Sequence, residues 1–351
     1  MVSCAAAEAG YICCDASNRP VQQARAGTWK ARGECVCQTQ EEIRKDMGPK
    51  RPHTQLIDGA PIGPNLNPQV FRESLKFRAR GGDVLQSTYP KCGTKWVQYI
   101  TQLILREGEP IKNYEDYFGN MRSVEYTNDQ EWQATLPLRT FITHQPLCRE
   151  TMDTEAKYVY IARNPWDVCR SFFDMVRDLS VYRFQDGTFD DFLDAFLAGD
   201  FGFGSYFQHV ASGYAVKDEP NVFFATYEEL KKDTRGTVLR LARFLGERYS
   251  RKLEDESNGL LDALLERSTP QQMRSVMVVR MQSENNVGWY GQAKVNNLTS
   301  RRGYQGDRSK YTVVNCARVG GWKEAYTPDQ LVRLETRIQE EGDTASFMSL
   351  W

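Results

Sequence analysis

Residues 87–96 combine the features of a loop that binds a phosphate group. They read Ser-Thr-Tyr-Pro-Lys-Cys-Gly-Thr-Lys-Trp, between a short apolar run that predicts a strand and a periodic segment that predicts a helix. Such a loop points backbone N–H groups and the positive end of a helix dipole at one place, which suits a phosphate. Lys91 adds a mobile cation there. The loop lacks the Gly-x-x-x-x-Gly-Lys-Ser/Thr spacing of nucleoside triphosphatases.

Two further segments are candidates for anion binding. Arg163 follows a predicted strand, and Ser171 lies two turns into the helix that begins at once. A guanidinium and a hydroxyl together suit a phosphate monoester, although Arg163 could instead only pair with Asp167. Residues 301–307, Arg-Arg-Gly-Tyr-Gln-Gly-Asp, form a basic loop whose glycines would let it close over an anion.

His144 is the candidate general base. It follows a predicted short strand. A neutral imidazole, with an ordinary pKa near 6.5, can take a proton from a hydroxyl group at neutral pH. A single histidine at the end of a strand is more often structural, so its position alone does not establish the role.

These segments resemble motifs of the cytosolic sulfotransferases. The first loop resembles Tyr-Pro-Lys-Ser-Gly-Thr-Thr-Trp, with Cys92 and Lys95 in place of Ser and the second Thr. Residues 163–171 resemble Arg-Asn-Pro-x-Asp-x-x-x-Ser, and residues 301–307 resemble the start of Arg-Lys-Gly-x-x-Gly-Asp-Trp-Lys. The resemblance extends over residues 68–341.

The resemblance implies transfer of a sulfuryl group from 3′-phosphoadenosine 5′-phosphosulfate (PAPS) to a hydroxyl or amine, as in enzymes of class EC 2.8.2. The product nucleotide is 3′-phosphoadenosine 5′-phosphate (PAP). Lys91 would stabilise the leaving nucleotide, and His144 would activate the acceptor. The implied cofactor-binding residues are Lys91, Cys92, Gly93, Thr94, Lys95 and Trp96 in the first loop, Arg163, Ser171, Arg301, Arg302 and Gly303 at the 3′-phosphate, and Tyr227 and Ser268 near the adenine. No metal is expected, because no carboxylate cluster suits Mg²⁺.

Two departures from the family pattern lead to hypotheses. Ile142 stands where the family has a lysine before Thr-His, and Lys95 is an additional cation that could compensate for it. Cys92 lies at a predicted helix N-terminus beside Lys91 and Lys95, which predicts a thiol of lowered pKa and high reactivity.

Two other functions are kept as alternatives. A PAPS- or PAP-binding protein with weak or no transferase activity would explain Ile142, Cys92 and the incomplete C-terminal motif. A small-molecule P-loop kinase would instead need ATP and Mg²⁺.

Composition limits the partners. The chain has 351 residues and a formal net charge of −1, so no overall positive field attracts nucleic acid. No apolar run approaches the roughly 20 residues of a membrane-spanning helix, and we expect a cytoplasmic protein. Five of the nine cysteines, Cys4, Cys13, Cys14, Cys35 and Cys37, fall near the N-terminus without the spacing of a structural zinc site.

The alternation of predicted strands and helices indicates an α/β fold with three layers, in which helices flank a central, mostly parallel sheet. Residues 1–65 predict a poorly ordered extension, and residues 66–351 a single sulfotransferase domain. The predicted strands are 84–89, 140–144, 157–162 and 221–225, and the predicted helices are 94–106, 165–178, 190–197, 227–245, 259–266, 271–278 and 328–341.

The acceptor is expected to be a small molecule of the phenol or aryl-amine type. Aromatic residues that could line its pocket are Tyr114, Tyr117, Phe118, Trp132, Phe172, Phe173 and Tyr206. A homodimer is left open, because the family's dimer motif is half present: Thr312-Val313 match it, while Ala317 replaces its glutamate.

Overall fold

A sheet of parallel strands lies at the centre of the computed structural model, which describes residues 50–127, 132–280, 299–314 and 318–351. The strands are β1 Gln55–Ile57, β2 Ala60–Ile62, β3 Asp83–Ser87, β4 Arg122–Ser123, β5 Arg139–Thr143, β6 Lys157–Ala162, β7 Val222–Thr226, β8 Val278–Arg280 and β9 Lys310–Thr312. Within these residues, the central sheet has the order β4-β5-β3-β6-β7, and each neighbouring pair is parallel. The predicted parallel sheet is confirmed.

Helices cover both faces of this sheet. They are α1 Pro68–Ser74, α2 Thr94–Leu105, α3 Tyr114–Gly119, α4 Pro165–Asp178, α5 Phe189–Ala198, α6 Tyr206–Ala215, α7 Tyr227–Lys232, α8 Thr234–Leu245, α9 Glu247–Glu254, α10 Leu260–Arg267, α11 Pro270–Val276 and α12 Pro328–Glu340. None of the described helices is both long and apolar enough to cross a bilayer.

Two hydrophobic cores separate the layers. On β6, Tyr158 and Tyr160 pack into the core formed with α4, α5 and α6, whereas Val159 and Ile161 pack into the core formed with α2, α8 and α10. Successive side chains of a strand point to opposite faces, so a strand buried on both faces reads as a continuous apolar run. The three-layer prediction is therefore confirmed.

The helix predicted over residues 227–245 is two helices. Asp233 has φ −134° and ψ 76°, outside the helical region, and its carboxylate accepts a hydrogen bond of 2.8 Å from the N–H of Gly236. Asp233 therefore ends α7 and caps α8. An aspartate within an amphipathic pattern competes for backbone N–H groups in this way.

Residues 55–62 form a hairpin that the sequence analysis did not identify. Asp58 and Gly59 connect β1 to β2 with φ values of 53° and 84°, as a type I′ turn requires. The hairpin buries Ile57 and Ile62 against Phe71. Strand structure thus begins at Gln55, before residue 66, where the sequence predicted the domain to start. The division of the chain at residue 65 stays a prediction. Residues 1–49, with their five cysteines, lie outside the described residues.

A buried ion pair ties β3 to β5. Asp83 and Arg139 are register partners at the starts of the two strands, and the Arg139 Nε donates to the Asp83 carboxylate over 2.7 Å. The Asp83 side chain has no exposed surface, and its second oxygen also accepts the N–H of Arg80 at 2.9 Å. This pair favours one register of the central strands.

We predict that Asp83→Ala lowers the free energy of unfolding by about 3–5 kcal/mol, because it removes the fully buried carboxylate that compensates the charge of the Arg139 guanidinium. Urea unfolding followed by circular dichroism measures the change. The control is Glu254→Ala, which removes an exposed pair with Arg243 and should cost less than about 1 kcal/mol. Equal effects of the two substitutions would contradict the prediction.

Candidate active site

The loops that follow four neighbouring strands meet at one edge of the sheet. His144 follows β5, Lys91 lies four residues after β3, Arg163 follows β6, and Tyr227 follows β7. Because the strand order is β5-β3-β6-β7, the four residues are arranged in that order along the carboxyl edge, where ligands bind in open parallel sheets. All four line one cavity of about 410 Å³.

The loop between β3 and α2 is held in an unusual backbone conformation. Lys91 has φ +74° and Gly93 has φ +96°, both in the left-handed region. A Cβ atom at Gly93 would lie 2.7 Å from the ring of Tyr227, so only glycine fits this close approach. The hydroxyls of Thr88 and Thr94 lie 2.6 Å apart and close the loop from within. The result is a tight turn at the start of α2, which suits an anion.

The ring of His144 is held in one tautomer. Its Nδ1 lies 2.8 Å from the carbonyl oxygen of Thr88, which can only accept, so Nδ1 carries the proton and Nε2 keeps its lone pair. Burial, together with the charges of Lys95 and Lys91, lowers the pKa of His144 to about 4, although the hydrogen bond to Thr88 opposes this shift. His144 is therefore a neutral base at physiological pH.

The backbone of His144 is also fixed. Its N–H donates to Oε1 of Glu125 over 2.7 Å, and its carbonyl accepts from Nε2 of His209 over 3.0 Å. The hydroxyl of Thr143 donates to the same Glu125 oxygen. Burial raises the pKa of Glu125, while its hydrogen bond from Thr143 opposes that shift. Neither Glu125 nor His209 was predicted as a site residue.

Arg163 links the Lys91 loop to the segment that contains Arg318. Its Nη1 donates to the carbonyl of Lys91 over 3.2 Å, and its Nη2 donates to the carbonyl of Arg318 over 2.8 Å. Its guanidinium also lies 4.4 Å from the ring centre of Tyr227. The alternative pairing with Asp167 is long, at 3.7 Å. Arg163 is thus a rigid part of the cavity wall.

A match to the sulfotransferase domain family covers residues 82–344 of the chain. The chain belongs to the sulfotransferase family. The rabbit (Oryctolagus cuniculus) amine sulfotransferase is 29% identical over 81% of this chain and 88% of its own length, and the cattle (Bos taurus) sulfotransferase 1A1 is 31% identical over 64% and 76%. A crystal structure of mouse sulfotransferase SULT7A1 with PAP has a TM-score of 0.61 at 24% identity, covering 83% of this chain and 94% of that one.

The protein is accordingly a PAPS-dependent sulfotransferase of class EC 2.8.2. The kinase alternative is wrong. The cavity fits a nucleotide with two anionic ends. The Lys91 loop lines one part of it, and the buried Nε of Arg163 has no partner among the described residues.

Most of the predicted site residues line the cavity. The structure brings together Lys91, Gly93, Thr94, Lys95, Trp96, His144, Arg163, Ser171, Tyr227 and Arg302. Arg318 also lines it, although nothing near residue 318 matched a motif that would have predicted this. Of the aromatic residues proposed for the acceptor pocket, Phe172 lines the cavity, together with the unpredicted Tyr126, Tyr182, Phe203 and Tyr311.

The other predicted residues lie beside the cavity. The guanidinium of Arg301 donates outward to the carbonyl of Gln185 over 3.1 Å. Gly303 donates its N–H to the hydroxyl of Ser300. Ser268 is buried, and its carbonyl accepts the indole N–H of Trp96 over 3.0 Å. These contacts position Trp96 and the basic loop, but the three residues themselves are not part of the cavity wall.

Cys92 contradicts its sequence prediction. Its side chain has no exposed surface and faces the core that contains Tyr89 and Tyr160, away from the cavity. Burial raises the pKa of the thiol well above its usual value, and the opposing charge of Arg163 does not offset this. The predicted lowered pKa is therefore wrong, because desolvation outweighs the nearby cations.

We predict that His144 of the free enzyme stays neutral, with the proton on Nδ1, as the pH falls from about 8 to about 5. The folded-state pKa of about 4 lies below the ordinary 6.5, so protonation begins only as the pH approaches 4. Nitrogen-15 NMR of the imidazole follows this, and His144→Gln assigns the signal. Protonation with a midpoint near 6.5 would contradict the buried environment.

Proposed function

We propose that the enzyme transfers the sulfuryl group of PAPS to a hydroxyl or amine of a small aromatic acceptor, with His144 as general base and Lys91 stabilising the leaving nucleotide. One observation carries the proposal: the unprotonated Nε2 of His144 and the Lys91 loop belong to the same cavity. The bound PAPS supplies an activated sulfuryl group. The names of the rabbit amine sulfotransferase and of a guinea pig 3-alpha-hydroxysteroid sulfotransferase support small amine or hydroxyl acceptors.

His144 would take the proton that the acceptor loses. In the free protein the charges of Lys95 and Lys91 disfavour its protonated form. An anion bound beside these lysines reduces their effect and raises the pKa of the imidazole. His144 therefore becomes a better proton acceptor when the anion-binding site beside these lysines is occupied. Lys91, in its left-handed turn, would hold its ammonium against the oxygen that leaves with the nucleotide.

Different parts of the cavity would bind the 5′-phosphosulfate, the adenine and the 3′-phosphate of the nucleotide. Gly93, Thr94 and Lys95 would hold the 5′-phosphosulfate. The rings of Trp96 and Tyr227, whose centres lie 5.4 Å apart, would hold the adenine. The 3′-phosphate would bind the basic end, formed by Arg163, Ser171, Arg302 and the additional Arg318. The mouse sulfotransferase of the same fold was solved with PAP, which supports a nucleotide of this kind as the ligand.

Location and assembly are also proposals. The match to the cytosolic sulfotransferases supports a cytoplasmic protein. Thr312-Val313, the half of the family's dimer motif that is present, supports a homodimer as one possible assembly. Ala317, at the position of the motif's glutamate, lies outside the described residues.

We predict that His144→Ala and Lys91→Ala each lower the rate of ³⁵S transfer from PAPS to 2-naphthol by at least about 100-fold, because each removes a group acting in the transition state. Calorimetry of PAP binding accompanies the assay. We expect His144→Ala to bind PAP as the wild type does and Lys91→Ala to bind it more weakly. The control Lys76→Ala replaces an exposed lysine outside the cavity and should change neither quantity.

Two results would contradict the proposal. Wild-type activity of the His144→Ala variant would show that His144 is not the general base. Tight PAP binding by the wild type without transfer to any acceptor in a broad panel would instead support the alternative of a binding protein with weak or no transferase activity.

Lys95 provides a second cation beside Lys91, in the part of the cavity that would bind the donor nucleotide. We call this part the donor end. Lys95 lines the cavity, and its ammonium lies 5.7 Å from the ring centre of Tyr117. Among the described residues, no carboxylate pairs with it, and burial lowers its pKa to about 8. Ile142 is buried in β5 and supplies no charge. A desolvated cation without a carboxylate partner gains most from a bound anion, so Lys95 is suited to contact the 5′-phosphosulfate.

We predict that Lys95→Thr weakens PAP binding by about tenfold, since one charge-assisted hydrogen bond is lost, and lowers turnover at saturating PAPS as well. The conservative Lys95→Arg should restore binding in part. Calorimetry and ³⁵S transfer measure the two quantities. Unchanged turnover in Lys95→Thr, in a preparation where Lys91→Ala is inactive, would refute the hypothesis that Lys95 compensates for Ile142.

A further inference from the structure

The part of the cavity nearest His144 is built by segments outside the central sheet. The ring of Phe203 lies 5.1 Å from that of His144. Phe203 and Tyr126 both pack against the hydrophobic cluster of the β1–β2 hairpin. Gly63 and Asn65, which follow the hairpin, line the cavity on the same side. We call this part, formed by Gly63, Asn65, Tyr126, Tyr182 and Phe203, the acceptor end.

Uncharged hydrogen-bonding groups converge at the acceptor end. The Asn65 amide donates to the hydroxyl of Tyr126 over 3.4 Å. A Cβ placed on Gly63 would lie 3.2 Å from the Asn65 Oδ1 and 4.0 Å from the hydroxyl of Tyr182. Asn65, Tyr126 and Tyr182 thus surround the bare backbone of Gly63. Burial raises the pKa of Tyr126 to about 12, so its hydroxyl stays neutral.

The Tyr182 hydroxyl is a group available to bind a ligand. Its residue is only 9% exposed and lines the cavity. It forms no side-chain hydrogen bond with any residue in the described ranges. A hydroxyl that lines a cavity and has no protein partner is available to a ligand, so a ligand group that can form a hydrogen bond with it is favoured.

Charged groups lie elsewhere in the cavity. Its acidic lining residues are Asp167 and Asp174, both on α4, where Asp174 pairs with Arg170 over 3.0 Å. Its lysines and arginines belong to the Lys91 loop or to the basic end, apart from Arg170 on α4, which pairs with Asp174. An ammonium group entering the acceptor end would lose its hydration without gaining a carboxylate, which is unfavourable.

We propose that the preferred acceptor is an aromatic alcohol with a second, uncharged hydrogen-bonding group at the end remote from the accepting hydroxyl. This inference rests on the proposed function and specifies its substrate class. The aromatic ring would lie beside Phe203, the accepting hydroxyl would face His144, and the remote group would bond to Tyr182 and the Asn65 amide. The same reasoning disfavours acceptors with an aliphatic ammonium group.

Four para-substituted phenols of similar size test the proposal: 4-propylphenol, 4-(3-hydroxypropyl)phenol, 4-(3-aminopropyl)phenol and 3-(4-hydroxyphenyl)propanoate. We expect the hydroxypropyl compound to have the highest kcat/KM for ³⁵S transfer, about tenfold above the propyl compound. The two charged compounds should be the poorest. Tyr182→Phe and Asn65→Leu should each reduce the preference for hydroxypropyl over propyl, whereas Tyr214→Phe, a tyrosine outside the cavity, should retain it.

A second measurement separates this proposal from the proposed function. Calorimetry of the same phenols binding to the enzyme with PAP reports the preference even if no sulfuryl transfer occurs. The proposal is overturned if the wild type binds or sulfates the propyl compound as well as the hydroxypropyl compound, or prefers a charged one. An equal loss for both neutral phenols in Tyr182→Phe would also overturn it. Preferential binding without transfer would support the proposal and contradict the catalytic assignment.

Discussion

The pairing of β3 with its two parallel neighbours determines where every reacting group lies. Adjacent strands are about 4.8 Å apart, so the order β5-β3-β6 fixes the order of His144, Lys91 and Arg163 along the sheet edge. Hydrogen bonds then join the loops: the Nδ1–H of His144 donates to Thr88 at the end of β3, and Arg163 after β6 donates to Lys91. A change of register by one residue would place these side chains on the opposite face.

Electrostatic opposition between His144 and the lysines follows from this proximity. A general base must be unprotonated before reaction, and burial together with two cations keeps His144 in that form. The same cations are unfavourable for the protein alone, since Lys95 loses hydration without a described carboxylate partner. A bound anion compensates the charge of Lys95 and also makes His144 easier to protonate. The cations of the donor end are thus in position before a ligand binds, and such preorganised charges lower the barrier of a reaction.

The sequence predicted the elements whose patterns are local. β6 and α4 agree residue for residue with prediction, because one is a continuous β-branched and aromatic run and the other begins with proline in its first turn. The phosphate-binding loop and the histidine after β5 were recognisable from residue types. α6 was missed, since its Ser, Gly and Gln residues blur the apolar period.

Side-chain direction and tertiary contacts could not be predicted. Cys92 lies within the loop motif, yet its thiol points into the core, because the backbone turns between the left-handed Lys91 and Gly93. Arg301 and Arg302 are adjacent in sequence, but Asp178 accepts the N–H of Arg302 and holds the loop so that Arg302 lines the cavity. Asn65 reaches the cavity through the packing of the hairpin, which no local pattern around it indicates.

The two ends of the cavity therefore differ in how they are built. Most of the donor end comes from residues that immediately follow sheet strands or begin the helices after them, where backbone position is fixed by strand pairing. The acceptor end comes mostly from the segment after the hairpin, the turn after α4 and residues 202–203, none of which follows a strand of the central sheet. Tyr126, three residues after β4, is the exception. Segments outside a rigid sheet tolerate sequence change with little effect on the sheet itself. Acceptor preference can accordingly vary through residues such as Asn65 and Tyr182 while the strand order continues to hold Lys91, His144 and Arg163 in line.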